Sequence, residues 1–141
     1  MKSFLLSLLL CSWSLLACAD PAIQVENAWV REAPPGAQMM AAYMTLKNTG
    51  SSDVTLENIT SPTFRMVMLH KSVIVDGVAR MSHQDSLPIP AGTSVALEPG
   101  SYHLMMPAPE QRLHSGDLVE FNLQFADGGT VRVQAIVRKK P

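Results

Sequence analysis

Cysteine is nearly absent from this sequence. The 141 residues hold two, Cys11 and Cys18, and both fall in the first 19 positions. Charge of one sign is also missing: 11 basic and 12 acidic side chains leave a formal net charge of -1, without the basic excess that a nucleic-acid binder normally carries. Aromatic residues make up only 6%. No Gly-x-Ser-x-Gly elbow, His-Glu-x-x-His helix or phosphate loop occurs, and nothing pairs a carboxylate with a nucleophile, so the chain does not read as an enzyme. No stretch shows a helical period with caps. What is present is a 47% hydrophobic chain, enough for one buried core in one domain, with 10 prolines, 8 glycines and an unusual 9 methionines.

Residues 1–19, MKSFLLSLLLCSWSLLACA, combine a basic start at Lys2, an apolar run too short for a comfortable membrane span, and the small-x-small site Ala17-Cys18-Ala19. They read as a secretory signal peptide, which leaves residues 20–141 as a single domain that is exported to the periplasm and free of thiols. The rival reading is a lipoprotein box, Leu15-Leu16-Ala17-Cys18, with Cys18 carrying the lipid; leucine before the alanine weakens that box. Under ordinary cleavage the mature domain has no disulfide, no cysteine nucleophile and no thiolate ligand.

Alternating patterns predict strands over residues 23–31, 40–47, 54–59, 66–75, 78–83, 93–97, 102–106, 118–125 and 130–138, separated by Pro-, Gly- and Asp-rich turns. Pro88 and Pro90 are read as loop punctuation. Many short strands with regular turns imply an all-β sandwich or barrel. Asp76-Gly77 is the two-residue signature of a type I′ hairpin. That turn pairs Val75 with Val78, Ser72 with Met81 and His70 with His83, so His70 and Met81 stand diagonally on one face.

His103 and Met105, two apart on an extended segment, also point the same way. Two His-Met pairs on neighbouring segments make a candidate N2S2 metal site from His70, Met81, His103 and Met105. Thioether sulfur is soft and favours Cu(I) over hard cations and over zinc; imidazole also suits copper. The lack of cysteine excludes a blue-copper electron carrier. Taken singly, each methionine reads as core filling and each histidine as a satisfied polar residue; the pairing carries the argument.

The spacing resembles that of the periplasmic copper chaperones known as PCuAC, whose motif is His, ten residues, Met, twenty-one residues, His, one residue, Met. His70, Met81, His103 and Met105 match all four positions and all three spacings. So do Asn27-Ala28-Trp29-Val30-Arg31 with Pro34-Pro35-Gly36, Asp76-Gly77-Val78, Ile89-Pro90-Ala91-Gly92, and Glu98-Pro99-Gly100 before Tyr102-His103-Leu104-Met105. Ser101 departs from the pattern, where the family often has a second glycine. The resemblance implies a cupredoxin-like Greek-key β-sandwich or barrel. It also implies a monomeric Cu(I) carrier whose partner is the apo CuA domain of cytochrome c oxidase, with SCO-type or thioredoxin-like assembly factors alongside. A periplasmic storage or resistance protein that only sequesters Cu(I) is the alternative, and an interaction domain whose methionines are all core is a third reading.

Several residues stay open. Met66 and Met68 precede His70 in steps of two and read as lining the interior, with a sulfur shelf beside copper as the other reading. Met39, Met40 and Met44 read as core, although Met39 or Met40 can extend the site. Met106 should face the core. His83 stands opposite His70 as a fifth ligand or relay, although the motif omits it. His114 reads as a surface turn residue.

Overall fold

Alternation of apolar and polar residues writes a single sheet, visible in the computed structural model, which describes residues 22–139. The segment read as a signal peptide, with Cys11 and Cys18, lies outside the described residues. Ten strands form: β1 Ile23–Arg31, β2 Met39–Asn48, β3 Val54–Thr60, β4 Met68–Val75, β5 Val78–His83, β6 Leu87–Ile89, β7 Ser94–Leu97, β8 Tyr102–Pro107, β9 Leu118–Phe125 and β10 Thr130–Arg138. Among the described residues there is no helix. The strand order is β5-β4-β8-β7-β2-β1-β10-β9-β3-β6, with β8 also pairing β2. Neighbours distant in sequence, such as β4 with β8 and β3 with β9, are Greek-key returns.

The sheet curls until its far edge meets its middle, giving a half-barrel of the cupredoxin-like kind expected. Asn48, at the end of β2, makes that junction. Its buried amide donates to the carbonyls of Ser52 (2.8 Å) and Ile89 in β6 (3.0 Å), while its oxygen accepts from Gly50 N–H (2.9 Å). Inside the curl lie Leu46, Leu56, Leu104, Met106, Phe121, Leu123 and their neighbours, each almost wholly buried.

Two departures from the sequence reading have local causes. Residues 87–89 form an edge strand rather than a loop, pairing only with β3. Pro88 is tolerated because an edge strand leaves one side unpaired, where a missing N–H costs nothing. In β1 a bulge between Glu26 and Trp29, with Asn27 at φ 53°, switches the core-facing parity. Ile23 packs inward before it and Val30 after it, so Trp29 turns to the outer face. There Tyr43 (ring centroids 4.6 Å apart) and the Arg138 guanidinium (4.4 Å) cover the indole.

Candidate metal centre

β8 shows how the sheet separates core from chemistry. Leu104 and Met106 point inward and are fully buried, so His103 and Met105 point outward. β4 does the same, with Leu69 inward and Met68, His70 and Ser72 outward. The registers then place the outer residues side by side. His70 opposes His103, and Met68 opposes Met105. On the other flank His70 opposes His83, and Ser72 opposes Met81. The hairpin register is the one the Asp76-Gly77 turn demands: both residues take positive φ (52° and 76°), as a type I′ turn requires.

The result is a row of three imidazoles across three strands. His70 is the hub, its ring edge-on to His103 at 6.0 Å and to His83 at 5.6 Å between centroids. Met105 is one diagonal step from His70 on β8. Met81 is one diagonal step away on β5, at the opposite corner. Such steps span about 7–8 Å between backbones. Met81 is 52% exposed on the sheet's edge strand, and His83 beside it is exposed too, with Nε2 3.5 Å from the Asp85 carboxylate.

Two hydrogen-bonding facts bear on whether the imidazoles can ligate. His103 is buried at 5% exposure, and its Nδ1 lies 3.0 Å from the Ser101 carbonyl oxygen. A carbonyl can only accept, so Nδ1 carries the proton and Nε2 keeps its lone pair for a metal. The same carbonyl accepts the Ser72 N–H (3.1 Å), which ties β4 to β8 beside the site. Position 101 therefore contributes its backbone, and serine serves there as glycine would. His70 Nδ1 is buried without a hydrogen-bond partner among the described residues. A buried nitrogen left unpaired is costly, and a metal bond is one way to satisfy it. Burial, then the neighbouring His103 and His83, hold the His70 pKa below its ordinary value of 6.5, so the ring stays neutral and able to ligate.

Among the described residues no group of three or more His, Cys, Asp or Glu side chains is arranged to hold a metal ion. The side chains beside the imidazoles are the thioethers Met68, Met81 and Met105, and thioether sulfur is a soft donor. A cleft of about 260 Å³, lined by Met39, Tyr43, Met105 and the Arg31–Pro34 turn, opens beside Met105. A larger one of about 800 Å³, lined by Arg65, Glu110 and Arg112 among others, contains none of the imidazoles or thioethers.

The remaining sequence readings divide. Met40, Met44 and Met106 are core, as expected. Met39 faces out at 40% exposure. Met66 does not line the interior: it precedes β4 and is half exposed, because the strand begins only at Met68. Met68 is half-buried on the outer face, opposite Met105, and so is not interior either. His114 is exposed in a turn, its N–H donating to the Asp117 carboxylate (2.7 Å). The Ser101 carbonyl was not legible in the sequence, since a backbone acceptor leaves no residue-type signal.

A profile of the LpqE-like family, described as "Putative lipoprotein LpqE-like", matches residues 23–137. The chain belongs to this family. It is similar to "Putative lipoprotein Lxx21020" of Leifsonia xyli subsp. xyli, 35% identical over 82% of this chain and 69% of that protein. Among solved structures it is similar to Cu(I)-bound DR1885 of Deinococcus radiodurans, with TM-score 0.68 and 31% identity over 88% of this chain and 83% of that one. It is also similar in fold to the copper-bound PCuAC domain of PmoF2, with TM-score 0.71 and 24% identity over 86% of this chain and 97% of that domain. The LpqE-like chain described here is thus of PCuAC type, as its His-x10-Met-x21-His-x-Met spacing implies.

Proposed function

We propose that this protein is a non-enzymatic Cu(I) metallochaperone that holds the ion with His70, Met81, His103 and Met105. The observation that carries the reading is the pairing of His70 with His103 on the outer face, one nitrogen orphaned and the other ring oriented by a carbonyl, with thioethers on both flanks. The likeness to Cu(I)-bound DR1885 supports the same ion. Thioethers bind Cu(I) without deprotonation, and they survive in an oxidising compartment where a thiolate pair would close to a disulfide. Copper is cargo here, so it must leave as well as bind. The exposure of Met81 and the cleft beside Met105 let an acceptor's ligands approach while donor ligands still hold the ion.

The acceptor in this proposal is the reduced apo CuA domain of cytochrome c oxidase, reached in the periplasm by a monomeric carrier, with SCO-type or thioredoxin-like factors preparing its thiols. The lipoprotein description of its relatives adds weight to a lipid on Cys18, and the intact mass of the exported protein separates the two leader readings. The deciding experiment mixes Cu(I)-loaded protein with the reduced apo CuA domain and measures both metal contents after separation. Transfer at neutral pH supports delivery. Copper retained against a tighter-binding acceptor favours the storage alternative.

A further inference from the structure

The sheet ends in two very different edges. β6 is the protected one: it is three residues long, contains Pro88, and is held to β2 by the Asn48 amide, which donates to the Ile89 carbonyl. β5 is the open one. It runs six residues, Val78–His83, all exposed and without proline, and among the described residues it pairs only with β4, in unbroken register. Proteins normally blunt such an edge, because its unpaired N–H and C=O groups invite another strand. The one cationic side chain of β5, Arg80, opposes Val73 and so faces away from the imidazoles. The hydrogen-bond parity of β5 follows from its two ends. A type I′ turn makes Val75 and Val78 a hydrogen-bonded pair, and just past the strand the Gln84 N–H donates to the Leu69 carbonyl (2.9 Å). The amides of residues 78, 80, 82 and 84 therefore point into the sheet, and those of Ala79, Met81 and His83 point out to the free edge. The side chains of the same three residues lie on the outer face, opposite Ile74, Ser72 and His70. Met81 thus combines a thioether on the copper face with a backbone open to a new strand. Ile74, 78% exposed, extends that face as apolar surface.

We propose that the free edge of β5 is the docking site of the copper acceptor, which adds an extended segment to the sheet and so brings its thiolates onto the copper face. The proposal rests on the Cu(I)-carrier reading above and keeps its four ligands. An antiparallel segment would exchange backbone hydrogen bonds with Ala79, Met81 and His83. Its residue opposite Met81 would stand about 5.5 Å away between α-carbons, on the same face. A cysteine there, or beside it, approaches the ion while His70, His103 and Met105 still hold it. A Cu–thiolate bond forms as the Cu–thioether bond to Met81 breaks; the thiol's proton goes to water, and copper remains Cu(I). Continuity with the metal site selects the acceptor as the occupant, since a segment on this edge extends the copper face itself. Main-chain bonds along the edge supply affinity, and the apolar surface at Ile74 supplies selectivity for the segment's side chains.

The test measures amide hydrogen exchange of the Cu(I)-loaded protein with and without the reduced apo CuA domain, together with Cu(I) affinity and transfer rate for Ala79→Pro and Ala79→Val. Proline at 79 removes an N–H that the β4–β5 ladder does not use, so the edge strand should tolerate it and copper binding should be kept. Valine keeps the N–H. The expected result is that the acceptor slows exchange at Ala79, Met81 and His83. Ala79→Pro should slow transfer by about tenfold or more at unchanged Cu(I) affinity, the effect of leaving one backbone group of the added strand unmet. Ala79→Val should transfer as the unmutated protein does. The exchange pattern of the unmutated protein gives an answer that does not depend on any variant folding. If copper passes to the acceptor while the three edge amides exchange as they do in the free protein, or if folded Ala79→Pro transfers at the unmutated rate, this inference is overturned and the carrier reading stands. Protection of the edge in the protein alone, rising with concentration and matched by a dimer in sedimentation, assigns the edge to a second copy and also overturns it. If Cu(I) does not bind, or binds and never passes to the acceptor, the carrier reading itself fails, and this inference with it.

Discussion

Met105 and Met106 are neighbours in β8 and sit in opposite worlds. Met106 is fully buried with Met40 and Met44 in the core. Met105 stands on the outer face with Met68, beside His70 and His103, while Met81 borders the same cluster from the edge strand. The side chain is the same on both faces; strand parity decides whether its flexibility fills a gap or its sulfur meets imidazole. Methionine content alone therefore says little about copper. A methionine two residues from, or directly across from, an outward histidine says much more.

Four changes break or sharpen that contrast, in descending order of expected effect. Met44→Ala removes an inner methionine that is 2% exposed, and should cost about 2–5 kcal/mol of folding stability by chemical denaturation. The folded fraction should keep its Cu(I) affinity. A parallel loss of copper binding would show that the two faces are not independent. His103→Leu acts on the outer face and should weaken Cu(I) binding by at least about 100-fold, or about 2.7 kcal/mol. Its folding cost should be smaller, on the order of 1 kcal/mol for the lost bond to the Ser101 carbonyl. Met81→Leu should leave stability within about 0.5 kcal/mol, as expected for an exposed edge position, and should weaken copper binding less than His103→Leu does. Equal losses from these two variants would contradict the ranking of buried over exposed ligands.

The smallest effect is on pH dependence. The His70 pKa is depressed in the folded apo protein, so on acidification the unfolded chain takes up that proton first. Stability associated with the neutral ring is intact above pH 6.5 and declines as pH falls from there through the lower folded value. Metal-free unfolding measured across that window should show the decline, and His70→Asn should flatten it. Protons compete with the metal for the same nitrogen, so Cu(I) affinity should likewise fall as pH drops below about 6.

Much of this arrangement was legible in the residues. β1, β5, β9 and β10 fall where alternation places them, and Asp76-Gly77 fixes the β4–β5 register because only a type I′ turn suits that pair. The pairing of His70 with His103 was not legible. It depends on β4 meeting β8, a contact between segments some thirty residues apart that no local pattern announces. β6 was missed because proline in a run normally argues against a strand, and only its edge position removes the objection. The bulge at Asn27 was missed for a similar reason. Asparagine tolerates a positive φ without advertising it, and the parity switch shows only once Val30 is seen in the core. Met66 and Met68 were assigned the interior, but Leu69 takes the inward position of β4, Met68 shares the outer face with His70, and Met66 lies before the strand begins.

The most direct test of the central claim is X-ray absorption at the copper edge on protein loaded with one equivalent of Cu(I) and freed of excess metal. The account predicts one retained Cu(I) per chain, with imidazole nitrogen and thioether sulfur together in its coordination shell, and loss of the nitrogen contribution in His70→Ala, His103→Ala protein. A shell of nitrogen and oxygen alone, or copper that does not survive removal of the excess, would contradict it.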